Sequence, residues 1–405
     1  MNTTYDILII GGGAAGFFTA INIAENNSKL KIAILERGNE VLTKVKVSGG
    51  GRCNVTHSEF IPKDLTENYP RGEKELLGPF HTFMTGDTVA WFEERGIELK
   101  TEDDGRMFPK TNSSQTIIDC FLKEVNHYGI ALLKNHSVKE IFKKDSWIVN
   151  TNSESFSVKK IVIATGSNPK IWKLLENLGH TITPPVASLF TFNINDERIK
   201  DIPGIATQAS VKIISSSLFS EGPLLITHWG LSGPAILKLS AWGARILHGL
   251  DYTFSIKVNW LVDFSSEKAF DKLKDLKNDL SKQTIFKYAQ FELPKRLWRN
   301  LVKASNIIED QKWAETTNKQ LQNLASQLTE SVFEVNGKST FKEEFVTAGG
   351  VDLKEVNFKR YESKLHKNLF FAGEVLNVDA ITGGFNFQNA WTGGYIVAKS
   401  ISNTL

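Results

Sequence analysis

The sequence predicts an α/β fold: a parallel, Rossmann-like nucleotide-binding sheet built from both ends of the chain and interrupted by inserted segments. Three observations predict it. The apolar run Asp6-Ile7-Leu8-Ile9-Ile10 stops at Gly11-Gly12-Gly13 and gives way to small and apolar residues over 14–24, so strand, glycine turn and helix follow one another. A second apolar strand over 31–35 ends in Glu36-Arg37 and completes a unit with the length of βαβ. Buried strands recur at Ile161-Val162-Ile163-Ala164-Thr165-Gly166 and at Asn368-Leu369-Phe370-Phe371-Ala372-Gly373-Glu374, and a closing helix follows over 386–401. Strands apolar along their whole length belong in a parallel sheet covered on both faces.

Between these parts the pattern changes. Residues 138–142, 147–150 and 154–158 alternate as a short antiparallel meander that leads back into the sheet. From about 188 to 260 strand-like runs at 189–194, 209–215 and 252–258 are set off by Gly and Pro, which predicts a β-rich insert. From 266 to about 332 the period is helical, with Phe270, Leu273, Leu276 and Leu280 on one face and Leu321, Leu324 and Leu328 on another. Pro294 suits the first turn of a helix between them. That stretch carries no chemical motif and reads as a cap or packing element.

Composition narrows the function. The 405 residues are 41% hydrophobic, enough for two or three domains. Forty-eight basic against 45 acidic residues leave a formal net charge of +3, without the concentrated basic face of a dedicated nucleic-acid binder. Nucleic acid is therefore not an expected partner. Cys53 and Cys120 are too few for a disulfide framework and lie in no metal-ligand spacing, so no metal is expected and a reducing cytosol fits. No run approaches the ~18 apolar residues of a membrane helix, and residues 1–5 carry no charged leader. The expectation is a soluble, unexported, cytoplasmic protein with a small-molecule substrate and an open oligomeric state.

Gly11, Gly13 and Gly16 form G-x-G-x-x-G between a strand and a helix, and Glu36 ends the next strand. Gly11 permits the tight turn, Gly13 lets a pyrophosphate approach the backbone, and Gly16 allows close helix packing; Ala14 and Ala15 supply amides at the helix start. Glu36, with Arg37 beside it, is placed to accept the ribose hydroxyls of an adenosine. FAD is favoured over NAD because the strands ending at Ala164-Thr165-Gly166 and at Gly373-Glu374 both finish in small residues that a long cofactor can approach. The run Ser48-Gly49-Gly50-Gly51-Arg52-Cys53-Asn54 adds unobstructed amides and a guanidinium.

In their order, Lys44, the 48–54 run, Gly105-Arg106-Met107-Phe108-Pro109, Thr227-His228-Trp229-Gly230-Leu231-Ser232-Gly233-Pro234 and Gly373-Glu374-Val375-Leu376 resemble the signatures of the bacterial BaiN/YhiN-like flavoprotein family and, more distantly, fumarate-reductase-type flavoproteins. The resemblance runs from about residue 6 to 399. It implies an FAD-binding Rossmann-like domain at 1–188 and 341–405, a β-barrel-like inserted domain at 189–264 and 333–340, and a helical domain at 265–332. It adds Lys44, Ser48, Gly50, Gly51, Arg52, Cys53 and Val138 to the expected FAD contacts. Four positions depart from the family pattern: Asn377 stands for an aspartate, Ala380 for a glycine, His57 for an asparagine and Leu42 for a glycine.

The glycine-led helix start at Asn386, Phe387 and Gln388 is expected to aim its positive end at the flavin, where reduction places negative charge. Arg52, Arg106, Lys110 and His228 are the candidates for substrate chemistry: His228 as a proton carrier near neutral pH or a structural histidine, Arg106 as a bidentate carboxylate binder or a surface arginine. Cys53 beside Arg52 is either redox-active or, the better reading, a buried structural thiol. A second G-x-G-x-x-G and a redox Cys-x-x-x-x-Cys are missing, so any NAD(P)H binds transiently as reductant. Four functions remain open at this point: a flavin N5 hydride-transfer enzyme acting on a small organic molecule, an amine oxidase using oxygen, an FAD-dependent RNA-modifying protein, and a flavin redox sensor.

Overall fold

The computed structural model describes residues 5–340 and 346–402, so the 341 boundary expected above lies outside the described residues. The chain divides into two compact units, 1–186 with 342–405, and 187–341.

In the first unit five parallel strands run Leu369–Phe371, Lys160–Ile163, Ile7–Ile10, Ile32–Leu35, Ala131–Leu133 in spatial order. The short antiparallel strands Val356–Asn357 and Glu362–Ser363 extend the edge beyond Leu369–Phe371. The three central strands and the first are buried along their whole length, and their sequences are apolar except for buried Lys160. Phe371 is in register with Ile163, and Ile163 with Ile10, so three strands from distant parts of the chain end side by side.

Two helices lie against each other on this sheet, Ala14–Asn26 and Phe385–Ser402. Their backbones approach closely at Gly394, where a Cβ would come within 2.9 Å of Thr19 Oγ1. An aromatic cluster fills the space around them: Phe18 sits 4.6 Å from Trp91 and 5.2 Å from Trp391, and Phe121 5.6 Å from Trp391, in tilted pairs. The meander forms as Val138–Lys143, Trp147–Thr151 and Ser155–Val158, paired antiparallel. The stretch 58–137 adds helices at Pro62–Thr66, Glu73–Phe80, Thr85–Glu93 and Ser114–His127.

The second unit holds one seven-stranded antiparallel sheet, ordered Ser331–Asn336, Thr253–Asn259, Ala206–Ile213, Phe219–Ile226, Gly230–Ser232, Thr191–Asn193, Lys338–Ser339. Phe219–Ile226 and Gly230–Ser232 are strands that the sequence pattern left unassigned. Helices Ser266–Asp279, Lys295–Ala304 and Asn318–Thr329 share this unit and bury Leu273, Leu297, Trp298, Leu301, Leu321, Leu324 and Leu328. Pro294 caps the middle helix instead of opening its first turn.

Candidate functional site

The glycine turn is built as its sequence demands. Gly11 has φ +119° and lies so close to the end of the neighbouring strand that a Cβ would meet Ala164 O at 2.3 Å. A Cβ on Gly16 would meet Gly11 O at 2.0 Å, so both positions require glycine for packing. Gly13 differs: nothing lies within 4 Å of its Cβ position, and no side chain caps the helix that it begins. The first-turn amides are left for a ligand, and the open space above Gly13 is where a pyrophosphate fits.

Glu36 closes the other side of the turn. Its Oε2 accepts from Gly12 N at 3.0 Å and its Oε1 from Gly38 N at 2.9 Å. The 135–136 segment runs alongside, with His136 N donating to Glu36 O at 2.8 Å and Asn135 N to Gly38 O at 2.9 Å, and buried Val138 lies two residues further along. Arg37 is exposed next to it.

Gly373 has φ +74° and sits over Ala15, whose Cβ would lie 3.1 Å from a Cβ added there. Ala372 N donates to Ile163 O at 3.0 Å, joining this strand end to that of Ala164-Thr165-Gly166. Glu374 accepts from Lys44 Nζ at 2.6 Å, which ties the late strand to the helical segment that begins the 48–54 run. That segment is not a plain loop: Thr43–Gly51 is helical until Ser48, then Gly49, Gly50 and Gly51 take φ of +59°, +68° and +84°. Gly49 is packed, its Cβ position 2.9 Å from the Phe108 ring, whereas Gly50 and Gly51 face open space. Open backbone at Gly13, Gly50 and Gly51, together with the carboxylate at Glu36, fits a long dinucleotide such as FAD.

Cys53 is fully buried at φ +60°, and burial pushes its thiol up to about 12, against the weaker effect of a Ser48 bond. A thiol so protonated is a poor nucleophile at neutral pH.

Arg52 and Arg106 meet around one carboxylate and one ring. Arg52 Nη1 donates to Glu102 Oε1 at 2.6 Å and its guanidinium lies 3.9 Å above the Phe108 ring. Arg106 reaches Glu102 Oε2 at 3.4 Å and Asp104 Oδ2 at 2.7 Å, 5.4 Å from the same ring. Glu102 and Asp104 were not singled out by the sequence, although the three acids at 102–104 just ahead of Arg106 are a signal that was there to be read. Lys110 pairs instead with Glu98 on the exposed surface. His228 belongs to the second unit, exposed on the turn before Gly230–Ser232 beside Trp229.

The start of the closing helix is held by its side chains. Asn386 bonds both N and O of Ala380, at 3.0 and 3.2 Å. Buried Gln388 accepts from Thr56 Oγ1 at 2.6 Å and from Thr88 Oγ1 at 2.9 Å. Phe387 stacks on Trp391. The Asn386 and Gln388 side chains thus face inward, and only first-turn backbone amides are left for a cofactor. With its amide oriented to satisfy both neighbours, Asn54 accepts from Gly384 N at 2.9 Å and donates to Thr56 O at 3.0 Å.

His57, unremarked except as a departure from a family pattern, stacks 4.6 Å from Phe385 and bonds Asp104 O at 3.1 Å through Nε2. Desolvation lowers its pKa, against the raising effect of the Asp104 carbonyl bond. Arg71 and Asp379 form a bidentate pair next to the same helix start, with Asp379 fully buried. Asn377 Oδ1 is buried without a hydrogen-bond partner.

Among the described residues no helix is long and apolar enough to cross a membrane, and no group of three or more His, Cys, Asp or Glu is placed to hold a metal ion.

Comparison with known proteins agrees with this architecture. The family described as HI0933-like protein Rossmann domain matches residues 5–400. The chain is 28% identical to a ribosomal RNA dihydrouridine synthase of Haemophilus influenzae, over 98% of each chain. It is 25% identical to a 3-dehydro-bile acid delta(4,6)-reductase of Clostridium scindens, over 97% of this chain and 98% of that one. Among solved structures, a flavocytochrome c3 fumarate reductase in its open conformation superposes with a TM-score of 0.50 at 14% identity, covering 99% of this chain and 78% of the other. The first of these names weakens the expectation, drawn from balanced charge, that nucleic acid is not a partner.

Proposed function

The chain belongs to the HI0933-like Rossmann family, and from that premise we propose that it is an FAD-dependent oxidoreductase that saturates a carbon–carbon double bond conjugated to a carbonyl, with uridine of ribosomal RNA as substrate. The observation that carries the reading is the glycine turn open at Gly13 and bonded through Gly12 to Glu36, on a chain whose two named relatives share one type of chemistry. Uridine has a C5–C6 double bond conjugated to the C4 carbonyl, and a 3-keto delta(4,6) steroid has its double bonds conjugated to the C3 carbonyl; each named reaction adds two hydrogens across such a bond. Ribosomal RNA is preferred because that relative is the more similar of the two.

FAD, when bound, supplies a hydride from its N5 position, and NAD(P)H binding transiently is the proposed source of electrons. This chain's residues do the rest. The amides at Ala14 and Ala15 and the open backbone at Gly13, Gly50 and Gly51 hold the phosphates and the chain between them, and Glu36 the adenosine ribose. Lys44 and Glu374 fasten the two segments that flank this cradle. Arg52 and Arg106, pre-set by Glu102, are assigned to orient the substrate carbonyl with their planar donor forks, and the accompanying proton is drawn from water. The strands of the second unit form the proposed barrel-like insert and its helices a separate cap.

The test is a visible spectrum of the purified protein, anaerobic titration with NADH and NADPH, and measurement of dihydrouridine in ribosomal RNA from cells with and without the gene. Bands near ~450 nm that bleach with either nucleotide, and dihydrouridine that disappears with the gene, support the reading. A colourless protein that FAD does not reconstitute overturns it. Unchanged ribosomal RNA with saturation of a steroid enone keeps the reductase and replaces the substrate.

A further inference from the structure

One helix of the second unit is charged in a way that its own folding does not explain. Lys295–Ala304 buries Leu297, Trp298, Leu301 and Val302 along one side. Its other side carries Lys295, Arg296, Arg299 and Lys303, and the helix has no acidic residue. Lys295, Arg296 and Lys303 are exposed and Arg299 is half-buried. Among the described residues the ion pairs nearest in sequence are Lys257–Glu330 and Lys274–Asp271, none involves these four, and Arg299 Nε is buried without a hydrogen-bond partner. Two of the cations occupy the first turn, where the positive end of the helix dipole disfavours them. The neighbouring helix Ser266–Asp279 shows the ordinary alternative: its charges are mixed, with Glu267 in the first turn and an internal Lys274–Asp271 pair at 3.1 Å.

The spacing is regular. Lys295, Arg299 and Lys303 follow at intervals of four residues, about 6 Å of rise each, so they form a row along the axis. That is comparable with the distance between successive phosphates of an RNA strand. Next to this row runs the 285–288 segment: Trp298 Nε1 donates to Ile285 O at 2.9 Å, and the Arg299 guanidinium lies 5.2 Å from the Phe286 ring. The same segment ends in Lys287 and Tyr288, the latter 49% exposed and offering a ring face for stacking. Glu292 precedes Pro294 and lies off the helix.

We propose that the Lys295–Ala304 face docks the phosphate backbone of RNA, with Lys295, Arg296, Arg299 and Lys303 as the phosphate contacts. The choice of RNA over other polyanions rests on the reading of this protein as a modifier of ribosomal RNA, and on the row of point charges beside an aromatic ring. An anionic membrane would call for a face of exposed large apolar residues, and this helix buries all of its own.

The experiment measures binding of the full-length holoprotein to labelled ribosomal RNA transcripts across a salt series. It compares wild type with Lys295→Ala/Arg296→Ala/Lys303→Ala, which leaves half-buried Arg299 in place, and with a control, Lys268→Ala/Lys272→Ala, on the mixed-charge helix. Loss of three phosphate contacts lowers the slope of log K against log salt by about 2–3 in the triple variant, with at least a tenfold weaker affinity at low salt, and leaves the control unchanged. The flavin spectrum and its bleaching by NAD(P)H stay as in wild type, which shows that the variant is folded. Equal affinity and equal slope for wild type and triple variant overturn the proposal, as does helix-dependent binding to phosphatidylserine vesicles with none to RNA. Helix-dependent RNA binding in a protein whose deletion leaves ribosomal dihydrouridine unchanged sinks the catalytic reading and leaves the docking face standing.

Discussion

Replacing Arg71 by Met leaves the Asp379 carboxylate, fully buried in the native protein, without the guanidinium that holds both of its oxygens. The side chains are 308 residues apart in sequence, and Asp379 belongs to the segment that leads into the closing helix. The same stretch bonds that segment three more times: Asp379 N to Arg71 O, Ile381 N to Asn68 O, and Tyr69 Oη to Phe385 O at 2.6 Å. Arg71 is only 14% exposed, so solvent can replace little of what it supplies. Removing one partner of such a pair costs about 3–5 kcal/mol, whereas an exposed pair is worth ~0–1 kcal/mol. For a unit of this size ~1 kcal/mol moves the melting temperature by about 2–4 °C, so Arg71→Met should lower it by roughly 6–20 °C. The assay is a melting curve followed by flavin fluorescence and by far-ultraviolet circular dichroism in parallel. Flavin release ahead of loss of helix signal is the expected order, because the pair secures the segment ahead of the closing helix, whose first-turn amides are proposed to face the flavin. A drop below about 2 °C, as for a surface pair, would refute the reasoning.

Three further outcomes follow from the site. Gly13→Ala should abolish FAD retention while the apoprotein melts as wild type, because its Cβ meets only open space, whereas Gly16→Ala should destabilise the apoprotein itself through the 2.0 Å clash with Gly11 O. Glu36→Gln removes a charge that accepts two backbone amides and should weaken FAD binding about 10–100-fold, for a charge-assisted bond worth ~1.5–3 kcal/mol, read by flavin fluorescence titration. Cys53, neutral up to about 12 in the fold, should resist iodoacetamide at pH 8 in the native protein and react on unfolding. Since its folded pKa is raised, the stability it contributes is complete below the ordinary thiol range and declines as pH climbs from about 9 towards 12, which denaturation at pH 7 and 10.5 would reveal.

What could be read in the sequence was what lies close together along it. Gly11, Gly13, Gly16 and Glu36 fall within one βαβ unit, and their spacing carries their geometry. The strands at Lys160–Ile163 and Leu369–Phe371 were legible because burial on both faces leaves an unbroken apolar run, although each is shorter than its run: Ala164 and Ala372 already belong to the turns. Assemblies between distant segments left no such trace. Arg52 finds Glu102 fifty residues on, Gln388 meets Thr56 and Thr88, and Arg71 meets Asp379; each residue alone reads as an ordinary polar side chain in water or a helix position. The edge strands Val356–Asn357 and Glu362–Ser363 are two residues each, too short for a period to show. The sequence points to the helix start at 386–388 through its backbone amides, and the inward bonds of the Asn386 and Gln388 side chains, made to residues distant in sequence or across the turn, had no signal of their own.

The strand Leu369–Phe371 and the helix Phe385–Ser402 lie at the centre of the first unit, beside segments made hundreds of residues earlier. During synthesis at about 5–20 residues per second the strand Lys160–Ile163 waits roughly 10–40 s with one edge unpaired and the long apolar face of Ala14–Asn26 uncovered. Meanwhile the 187–341 unit, contiguous in sequence, has been synthesised in full. The nascent chain therefore passes through a stage in which a finished insert hangs from an unfinished nucleotide fold, with an open strand edge of the kind that chaperones or neighbouring chains can pair with. Cellular yield should then depend more on how quickly the last segment is delivered than on the final stability of the sheet.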